Sequence, residues 1–375
     1  MNKLKKLWPL LLLAAVSAFA QKPADAVWTQ FEKQTKAGST FGYKDAAGHI
    51  RIPAKFGNFS RALRFRHIIA VNEEATQRQY YLLKDGRKVG RDSVYLFDYT
   101  FDCESEGKIR FRDRRKYRVG FFDSSGHVCI PAVYNTVTPF HNGLAVARIG
   151  AHLECLSGEK DTIQCEHAAW VGGRSVLIDA RNEVLADSLP SDQSTNINWY
   201  SLKINVPAID TATTRTFRAV NGGRYIFTDY EKEFTHWFYD VFVPAVRTGL
   251  ASKATPLCYS ELAVSGRPFR GWPHFDRATF VQKFYQPVLR PKLSSLRYGE
   301  KGVDISAEDF NNLVFDSKNF QAFLTDCGEP FREKYPAFNV VVTEVGPAGQ
   351  RNYEHQQHFA FIRTAEGYRL FSVSL

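Results

Sequence analysis

The sequence predicts an all-β array of hairpin repeats followed by an α+β domain. The first observation behind this prediction is a stretch that occurs twice, since residues 42–56 return as residues 120–134 with most positions identical or conservatively replaced. The second is a change of apolar spacing after about residue 225, from the alternation of strands to the three- and four-residue spacing of helices. Repetition along a chain is typical of array folds, in which similar units stack on one another.

Two weaker copies of the same pattern extend the array. Residues 80–89 contain an apolar run, Asp85-Gly86 and a return strand, and residues 172–185 contain Asp179 and Asn182. Asn182 replaces the glycine of the other copies, and asparagine also tolerates a positive φ. The copies therefore predict four turns with equivalent surroundings, at Asp45, Asp85, Asp123 and Asp179.

Each copy has the features of a β-hairpin. An apolar run ends at an aspartate that can accept hydrogen bonds from its own turn, and a glycine supplies the left-handed conformation. Pro53 and Pro131 then end the return strand, because proline cannot donate to a sheet. A lone hairpin is marginally stable, so we expect neighbouring units to bury their apolar faces against each other. The sequence leaves open whether the array is propeller-like or solenoid-like.

At these residues the chain resembles the WG-repeat (KWG) family, over roughly residues 40–187. The match is best between Tyr117 and Arg148, where Pro139-Phe140-His141-Asn142-Gly143-Leu144-Ala145-Val146 resembles the Phe-x-x-Gly-Leu-Ala part of that family's repeat. The Trp-Gly pair that gives the family its name is absent, because Thr40-Phe41-Gly42 and Arg118-Val119-Gly120 stand in its place. The resemblance implies a β-rich interaction surface and no particular reaction.

The C-terminal region reads as helices followed by an antiparallel sheet. Helices are predicted to begin at the capping box Thr228–Glu231, at Asp276 and at Ser306, the last carrying Phe310, Leu313, Phe320 and Phe323. Strands are predicted at residues 338–345, 358–364 and 368–375. This order and the final hairpin resemble the cone-shaped NTF2-like (cystatin-like) domains. The resulting plan is a signal peptide (1–20), an N-terminal segment (21–39), the repeat domain (40–189), a linker with strands (190–224) and the α+β domain (225–375).

The N-terminus has the pattern of an export signal. Three lysines precede the apolar run Leu7–Val16, and Ala18-Phe19-Ala20 is a small-x-small cleavage site. No cysteine follows that site, and no other segment is long and apolar enough to span a membrane. We therefore expect a secreted or periplasmic protein without a lipid anchor or transmembrane segment after cleavage.

Six cysteines suit an oxidising compartment. Cys155 and Cys165 flank a short polar segment and are candidates for one disulfide, although six cysteines allow about fifteen arrangements. The simplest scheme adds Cys258 with Cys327 and Cys103 with Cys129. The spacing fits no zinc site, and we expect no metal and no cofactor.

Two surfaces are candidates for binding. The stretch 108–118 alternates basic and aromatic residues, and Arg110, Arg112, Arg114 and Arg115 would suit an anionic polymer; the competing interpretation is a strand with a charged outer face. The loop 265–275 combines residue types that are common in binding hot spots, and its competing interpretation is a loop that packs under the helices. Its candidates are Arg267, Phe269, Arg270, Trp272 and His274.

The chain contains no established catalytic motif. His236 on the first predicted helix is a weak candidate for a general base, and His355 and His358 enter a strand on opposite faces, which disfavours a metal site. The sequence therefore favours an exported, non-enzymatic protein that binds a protein or an anionic cell-envelope polymer, with nucleic acid not expected. The alternatives are a hydrolase- or isomerase-like enzyme with its site in the C-terminal cone, and a structural spacer.

Overall fold

The computed structural model describes residues 27–36, 38–97, 100–155, 157, 165, 168–190, 197–206, 210–345 and 351–375, with residues 344, 345 and 351–355 described by their backbone only. The predicted signal peptide, residues 191–196 and 207–209 of the predicted linker and the side chain of His355 lie outside this part of the chain. Within it, no helix has the length and apolar character needed to cross a bilayer.

The first half of the chain consists of small antiparallel sheets built from four three-stranded units. The strands are β1 Trp28–Thr35, β2 Gly38–Lys44, β3 Ile50–Phe56, β4 Arg64–Phe65, β5 Ile68–Glu73, β6 Arg78–Leu83, β7 Lys88–Val89, β8 Leu96–Phe97, β9 Thr100–Phe101, β10 Lys108–Asp113, β11 Arg118–Asp123, β12 Val128–Tyr134, β13 Thr136–Val137, β14 Leu144–Ile149, β15 His152–Cys155, β16 Ala168–Val171, β17 Arg174–Asp179 and β18 Val184–Leu189. The first two units, β1-β2-β3 and β5-β6-β7, lie side by side in one seven-stranded sheet with β4 at its edge, and the other two are β10-β11-β12 and β14-β17-β18, the last with β13 at its edge. The described sheets are open, and they form neither a closed barrel nor a propeller.

The hairpin turns share one hydrogen-bond pattern. In the first unit the Asp45 N–H donates to the His49 carbonyl and the Gly48 N–H donates to the Asp45 carbonyl, both at 3.0 Å. The Asp45 carboxylate also accepts the N–H groups of Ala47 and His49 at 3.0 Å. Asp123 and Asp179 make the equivalent backbone and side-chain bonds.

The second unit departs from the prediction at Asp85. Its backbone bonds are made by Leu83, which receives the Gly86 N–H at 2.9 Å and donates to Arg87 at 3.0 Å. Leu83 therefore occupies the position that Asp45, Asp123 and Asp179 hold in the other units. Asp85 lies next to the turn glycine and accepts the Arg87 N–H at 2.9 Å. The sequence pattern was misleading because Asp-Gly is itself a strong turn signal.

A further turn of the same type lies within the predicted linker. There the Ala219 N–H donates to Gly223 at 2.8 Å and the Gly222 N–H donates to Ala219 at 3.0 Å. The surrounding strands are β19 Ile197–Ile204, β20 Thr214–Arg218 and β21 Arg224–Asp229, in the altered order β19-β21-β20. The array of units therefore continues to the start of the C-terminal domain.

Each unit packs on its neighbours through apolar side chains. One cluster joins the first two units through Tyr43 and Tyr80, and another joins the second and third through Tyr81 and Phe122, whose rings lie 5.2 Å apart. Two more clusters link the third unit to the fourth and the fourth to β19–β21. This nearest-neighbour packing is the stacking that marginal hairpins require.

The C-terminal domain packs short helices on a six-stranded sheet of order β23-β22-β27-β26-β25-β24. The strand β22 pairs parallel to the last strand, β27, and the other neighbours are antiparallel. The helices are α1 Tyr230–Trp237, α2 Val243–Arg247, α3 Ala251–Ala254, α4 Arg277–Phe284 and α5 Arg290–Leu293, and the strands are β22 Cys258–Ser265, β23 His274–Asp276, β24 Val303–Ala307, β25 Ala337–Val345, β26 Arg351–Thr364 and β27 Gly367–Ser374.

The helix predictions succeed in part. Asp276 caps α4 as expected, whereas α1 is capped by Asp229 and not by Thr228. The third predicted helix is wrong, because Ser306 lies in β24 opposite Asn339. Beyond it, Asn311 accepts the Leu313 N–H in a turn, and Leu313 is 86% exposed. The aromatic residues of this segment are buried by tertiary packing rather than by one face of a helix.

The disulfides are Cys103–Cys327 and Cys155–Cys165. The predicted pairs Cys103–Cys129 and Cys258–Cys327 are wrong. Cys258 lies in the core of the C-terminal domain, and Cys129 has an exposed position on β12. Cys327 instead lies on a turn that faces the repeat domain, a proximity that sequence spacing does not reveal.

Candidate binding groove

A groove separates the repeat domain from the C-terminal domain. Its larger cavity has a volume of about 830 Å³ and an adjoining one about 370 Å³. One wall comes from the array, chiefly residues 100–106, and the other from the C-terminal segment 321–335, which we call the docking segment. Both cavities contact Pro139, His141, Asp309, Arg332 and Glu333, so they form one continuous groove.

Covalent and ionic contacts fix the two walls relative to each other. The Cys103–Cys327 disulfide joins the array wall to the docking segment. Beside it, Arg64 and Arg66 contact the Asp326 carboxylate at 2.8 and 2.6 Å. The Arg64 guanidinium also donates to two carbonyl groups of the docking segment at 2.7 and 2.9 Å. One disulfide, two ion pairs and two hydrogen bonds to backbone carbonyl groups therefore hold the two walls of the groove in position relative to each other.

His141 lies where the two cavities meet. It is only 7% exposed, its Nε2 atom is 3.8 Å from the Glu333 carboxylate, and its ring lies 5.7 Å from that of Phe331. Its buried Nδ1 atom has no hydrogen-bond partner among the described residues. Burial lowers the pKa of His141, and the nearby carboxylates of Glu333 and Glu106 only partly oppose this effect.

A second group of polar and aromatic side chains lines the same end of the groove. The Glu106 carboxylate accepts the backbone N–H groups of Asn142 and Gly143 at 2.6 and 2.7 Å, and the Tyr200 hydroxyl donates to it at 3.3 Å. Burial raises the pKa of Tyr200, and the Glu106 charge adds to the effect. The Lys334 ammonium lies 5.2 Å from the Tyr200 ring centre. This end therefore offers aromatic faces and fixed hydrogen-bonding groups from both domains.

Arg110 belongs to this groove and not to an exposed surface. Its guanidinium makes a two-point contact with Asp102 at 2.9 and 2.5 Å and lies 4.3 Å from the Tyr95 ring centre. It is thus a paired, largely enclosed cation. The prediction that Arg110 acts together with Arg112 in binding an anion is not supported by this position.

Arg112, Arg114 and Arg115 lie at the far end of the same hairpin. Arg114 and Arg115 are exposed in the turn between β10 and β11, and Arg112 is half-buried at the end of β10. None of the three lines the groove. The predicted basic stretch therefore has two parts: Arg110, which pairs with Asp102 in the groove, and the outer group Arg112, Arg114 and Arg115.

The loop 265–275 is also divided. Phe269 packs against Phe275 and Phe284, and His274 contacts the Glu261 carboxylate at 2.5 Å, so both contribute to the C-terminal domain's packing. Arg267, Arg270 and Trp272 remain exposed, with Trp272 46% exposed. These three residues do not line the groove, and their role in binding stays a prediction.

The face of the C-terminal sheet that a cone-shaped enzyme would use is filled with side chains. Phe234, Phe238, Phe242 and Phe361 are fully buried there. His236 lies outside this core, half exposed and 3.6 Å from Asp240. Within the described chain, no three metal-binding side chains cluster in a way that could hold an ion. His236 lines neither of the two cavities of the groove.

Comparison with known proteins finds a repeat within the array. A family model described as WG containing repeat matches residues 120–151, which run from β11 through the Asp123 turn to just beyond β14. The chain is thus similar to WG-repeat proteins over a stretch that begins in the third unit and includes the first strand of the fourth. No curated protein matches the chain.

Sequence reasoning missed most groove residues. His141 lies in the Pro139–Gly143 stretch that carries the repeat resemblance, and its position in that stretch is the one available signal. Glu106, Tyr200, Phe331 and Glu333 are widely separated along the chain and carry no motif. Only the contact between the two domains brings them together.

Proposed function

We propose that this protein is a non-enzymatic binding protein that holds part of a protein or cell-envelope polymer in the groove between its two domains. The observation that carries the proposal is the buried His141 at the junction of two cavities, with an Nδ1 atom that has no hydrogen-bond partner among the residues the structure describes. Domain interfaces are a common place for ligand sites, and a volume near 830 Å³ is in the usual range.

The proposal includes an NTF2-like origin for the C-terminal domain. What supports this part of the proposal is a six-stranded sheet packed against helices that ends in the β26–β27 hairpin, which turns between Thr364 and Gly367. In this chain the space between helices and sheet is filled, so the domain would serve as a wall of the groove and not as a reaction chamber.

The proposal also places the protein outside the cytoplasm. Two disulfides are consistent with a periplasmic or extracellular setting, where they persist. The N-terminal pattern of basic residues, apolar run and small residues is the proposed export signal. Sequencing the N-terminus of the protein recovered from its native host would test this, with Gln21 as the expected first residue.

The groove can be blocked without disturbing a core. Ala322 is exposed and lines the larger cavity, so Ala322→Trp would place an indole ring in the ligand's path. We expect the variant to lose at least tenfold in retention on immobilised cell-envelope polymers and proteins. Ala278→Trp, on the exposed face of α4, adds the same ring away from the groove and is the matched control.

Retention of both variants at the level of the unmodified protein would rule out the groove as the binding site. A second pair of substitutions, Arg270→Ala with Trp272→Ala, tests the exposed part of the 265–275 loop in the same assay. Loss of retention in that pair alone would move the binding surface to the loop.

A further inference from the structure

The turn between β10 and β11 carries a concentrated positive charge. We call the residues Arg112, Arg114, Arg115, Lys116 and Arg118 the basic tip. Over the part of the chain that is described, none of these side chains forms an ion pair with a carboxylate. Asp113, in the same turn, uses its carboxylate to accept the backbone N–H groups of Arg115 and Lys116 at 3.0 and 3.1 Å. In this turn the five cations are accompanied by one carboxylate, that of Asp113, so the basic tip keeps a net positive charge.

Two aromatic rings support the arginines at the base of the turn. The Arg112 guanidinium lies 5.6 Å from the Tyr117 ring centre, and that of Arg118 lies 5.7 Å from the Trp170 ring centre. Arg118 also donates to the Lys116 and Tyr117 carbonyl groups at 3.3 and 3.1 Å. Such contacts limit the conformations of the guanidinium groups, so less freedom is lost when they bind a ligand.

The same strand shows what a structural arginine looks like in this protein. Arg110 is enclosed and contacts both oxygens of Asp102. The basic tip begins two residues later and has no such partner. Among the described residues, the charges of the basic tip are therefore not used to pair buried carboxylates. In a chain of net charge +10, placing these cations close together destabilises the folded chain through their mutual repulsion.

We propose that the basic tip docks on the phosphate-bearing headgroups of an anionic lipid surface. Arginine binds phosphate through two parallel hydrogen bonds, and four of the five cations are arginines. The exposed turn is suited to a plane of headgroups, whereas a single polymer strand would call for a channel. Tyr117, which is 39% exposed, is of a residue type that favours the membrane–water interface. This surface is separate from the groove and does not depend on its function.

Flotation of the full chain with lipid vesicles tests the proposal. Vesicles of phosphatidylcholine containing 30% phosphatidylglycerol supply the phosphate-bearing surface at low ionic strength. We expect the unmodified protein to bind them and to be released by about 0.5 M salt, where screening is nearly complete. The variant Arg114→Ser/Arg115→Ser/Lys116→Ser should bind about a hundredfold more weakly, since each basic residue near such a surface contributes about a factor of five.

The matched control removes the same charge from scattered positions. Lys44, Lys232 and Lys253 are exposed and lie far apart in the sequence, and their joint replacement by serine should reduce vesicle binding only a few-fold. An equal loss in both triple variants would show that net charge alone governs binding and would overturn the proposal. Thermal melting of both variants checks folding, and Arg114→Gln/Arg115→Gln replaces the first variant if its melting temperature falls.

Soluble inorganic polyphosphate separates the two sources of phosphate. If polyphosphate competes with the anionic vesicles and releases the protein from them, the result supports phosphate recognition at the basic tip. Tip-dependent binding of polyphosphate without any binding to the anionic vesicles would overturn the lipid surface in favour of a soluble phosphate polymer. Equal binding to vesicles of phosphatidylcholine alone, whose headgroups carry a phosphate but no net charge, would overturn the proposal that the basic tip needs an anionic surface.

Discussion

One residue in each hairpin turn determines whether the chain can reverse direction there. Gly48, Gly86, Gly126, Asn182 and Gly222 follow three residues after the start of their turns and have φ values between 70° and 89°. Asn182 is the one side chain at this position, and its amide oxygen accepts the Tyr134 hydroxyl at 2.5 Å. A left-handed backbone is thus the recurring requirement, and asparagine meets it with an added bond to the preceding unit.

His141 predicts a pH dependence at the same scale. The pKa of the buried His141 ring is lower in the folded chain than in the unfolded chain. As the pH falls from about 7.5 towards the lowered pKa, the unfolded chain therefore binds more protons than the folded chain. The free energy of unfolding should therefore fall as the pH falls through this window. In His141→Asn this part of the decrease should be absent, as measured by urea denaturation at pH 7.5, 6.5 and 5.5.

The exposed His152 is the control for that measurement, because its side chain is 64% exposed. His152→Asn should keep the pH dependence of the unmodified protein. If His141→Asn and the unmodified protein lose stability equally on acidification, the buried ring is not the group responsible.

At the scale of the elements, each repeat unit is a set of three strands that packs its apolar side chains against the next unit. The second and third units are joined by Tyr81, whose hydroxyl donates to the Arg110 carbonyl at 2.6 Å and accepts the Tyr95 N–H at 2.9 Å. The side chain is fully buried. A single hydroxyl therefore supplies partners to two backbone groups of the following segment.

Tyr81→Phe should lower the free energy of unfolding by about 1–3 kcal/mol, because it leaves a buried N–H and a buried carbonyl without their partner. Urea denaturation at neutral pH measures the change. Tyr80→Phe is the matched substitution on the adjacent residue, whose hydroxyl donates to the Glu73 side chain at 2.6 Å. Glu73 keeps two lysine partners, Lys55 and Lys88, so this variant should lose less. A larger loss in Tyr80→Phe would contradict the assigned role of Tyr81.

At the scale of the whole molecule, the Cys103–Cys327 bridge joins the two domains across 224 residues of sequence. It lies beside the ion pairs of Asp326 and closes one end of the groove. The Cys155–Cys165 bridge spans only 10 residues and stays within the array. The two disulfides therefore have different consequences, although both restrict the unfolded chain.

Replacing Cys103 and Cys327 by serine should cost about 5 kcal/mol, against about 3 kcal/mol for Cys155 and Cys165, because the unfolded chain gains more freedom when a longer loop is released. Differential scanning calorimetry should also show the first variant unfolding in two steps, since the domains lose their covalent link. The second variant should unfold as the unmodified protein does. A single transition in both would indicate that the non-covalent interface is sufficient to couple the domains.

The sequence by itself determined the features that depend on local chemistry. The turns at Asp45, Asp123 and Asp179, the cap at Asp276, the final hairpin and the Cys155–Cys165 pair all follow from residues close together in the chain. Short-range patterns report them because the interacting groups lie within a few residues of each other.

Which distant residues meet depends on the tertiary structure. It pairs Cys103 with Cys327 and brings His141 next to Glu333 in the groove. The physical reason is that these contacts depend on how two packed domains are oriented, and burial of apolar surface between them has no fixed spacing in the sequence.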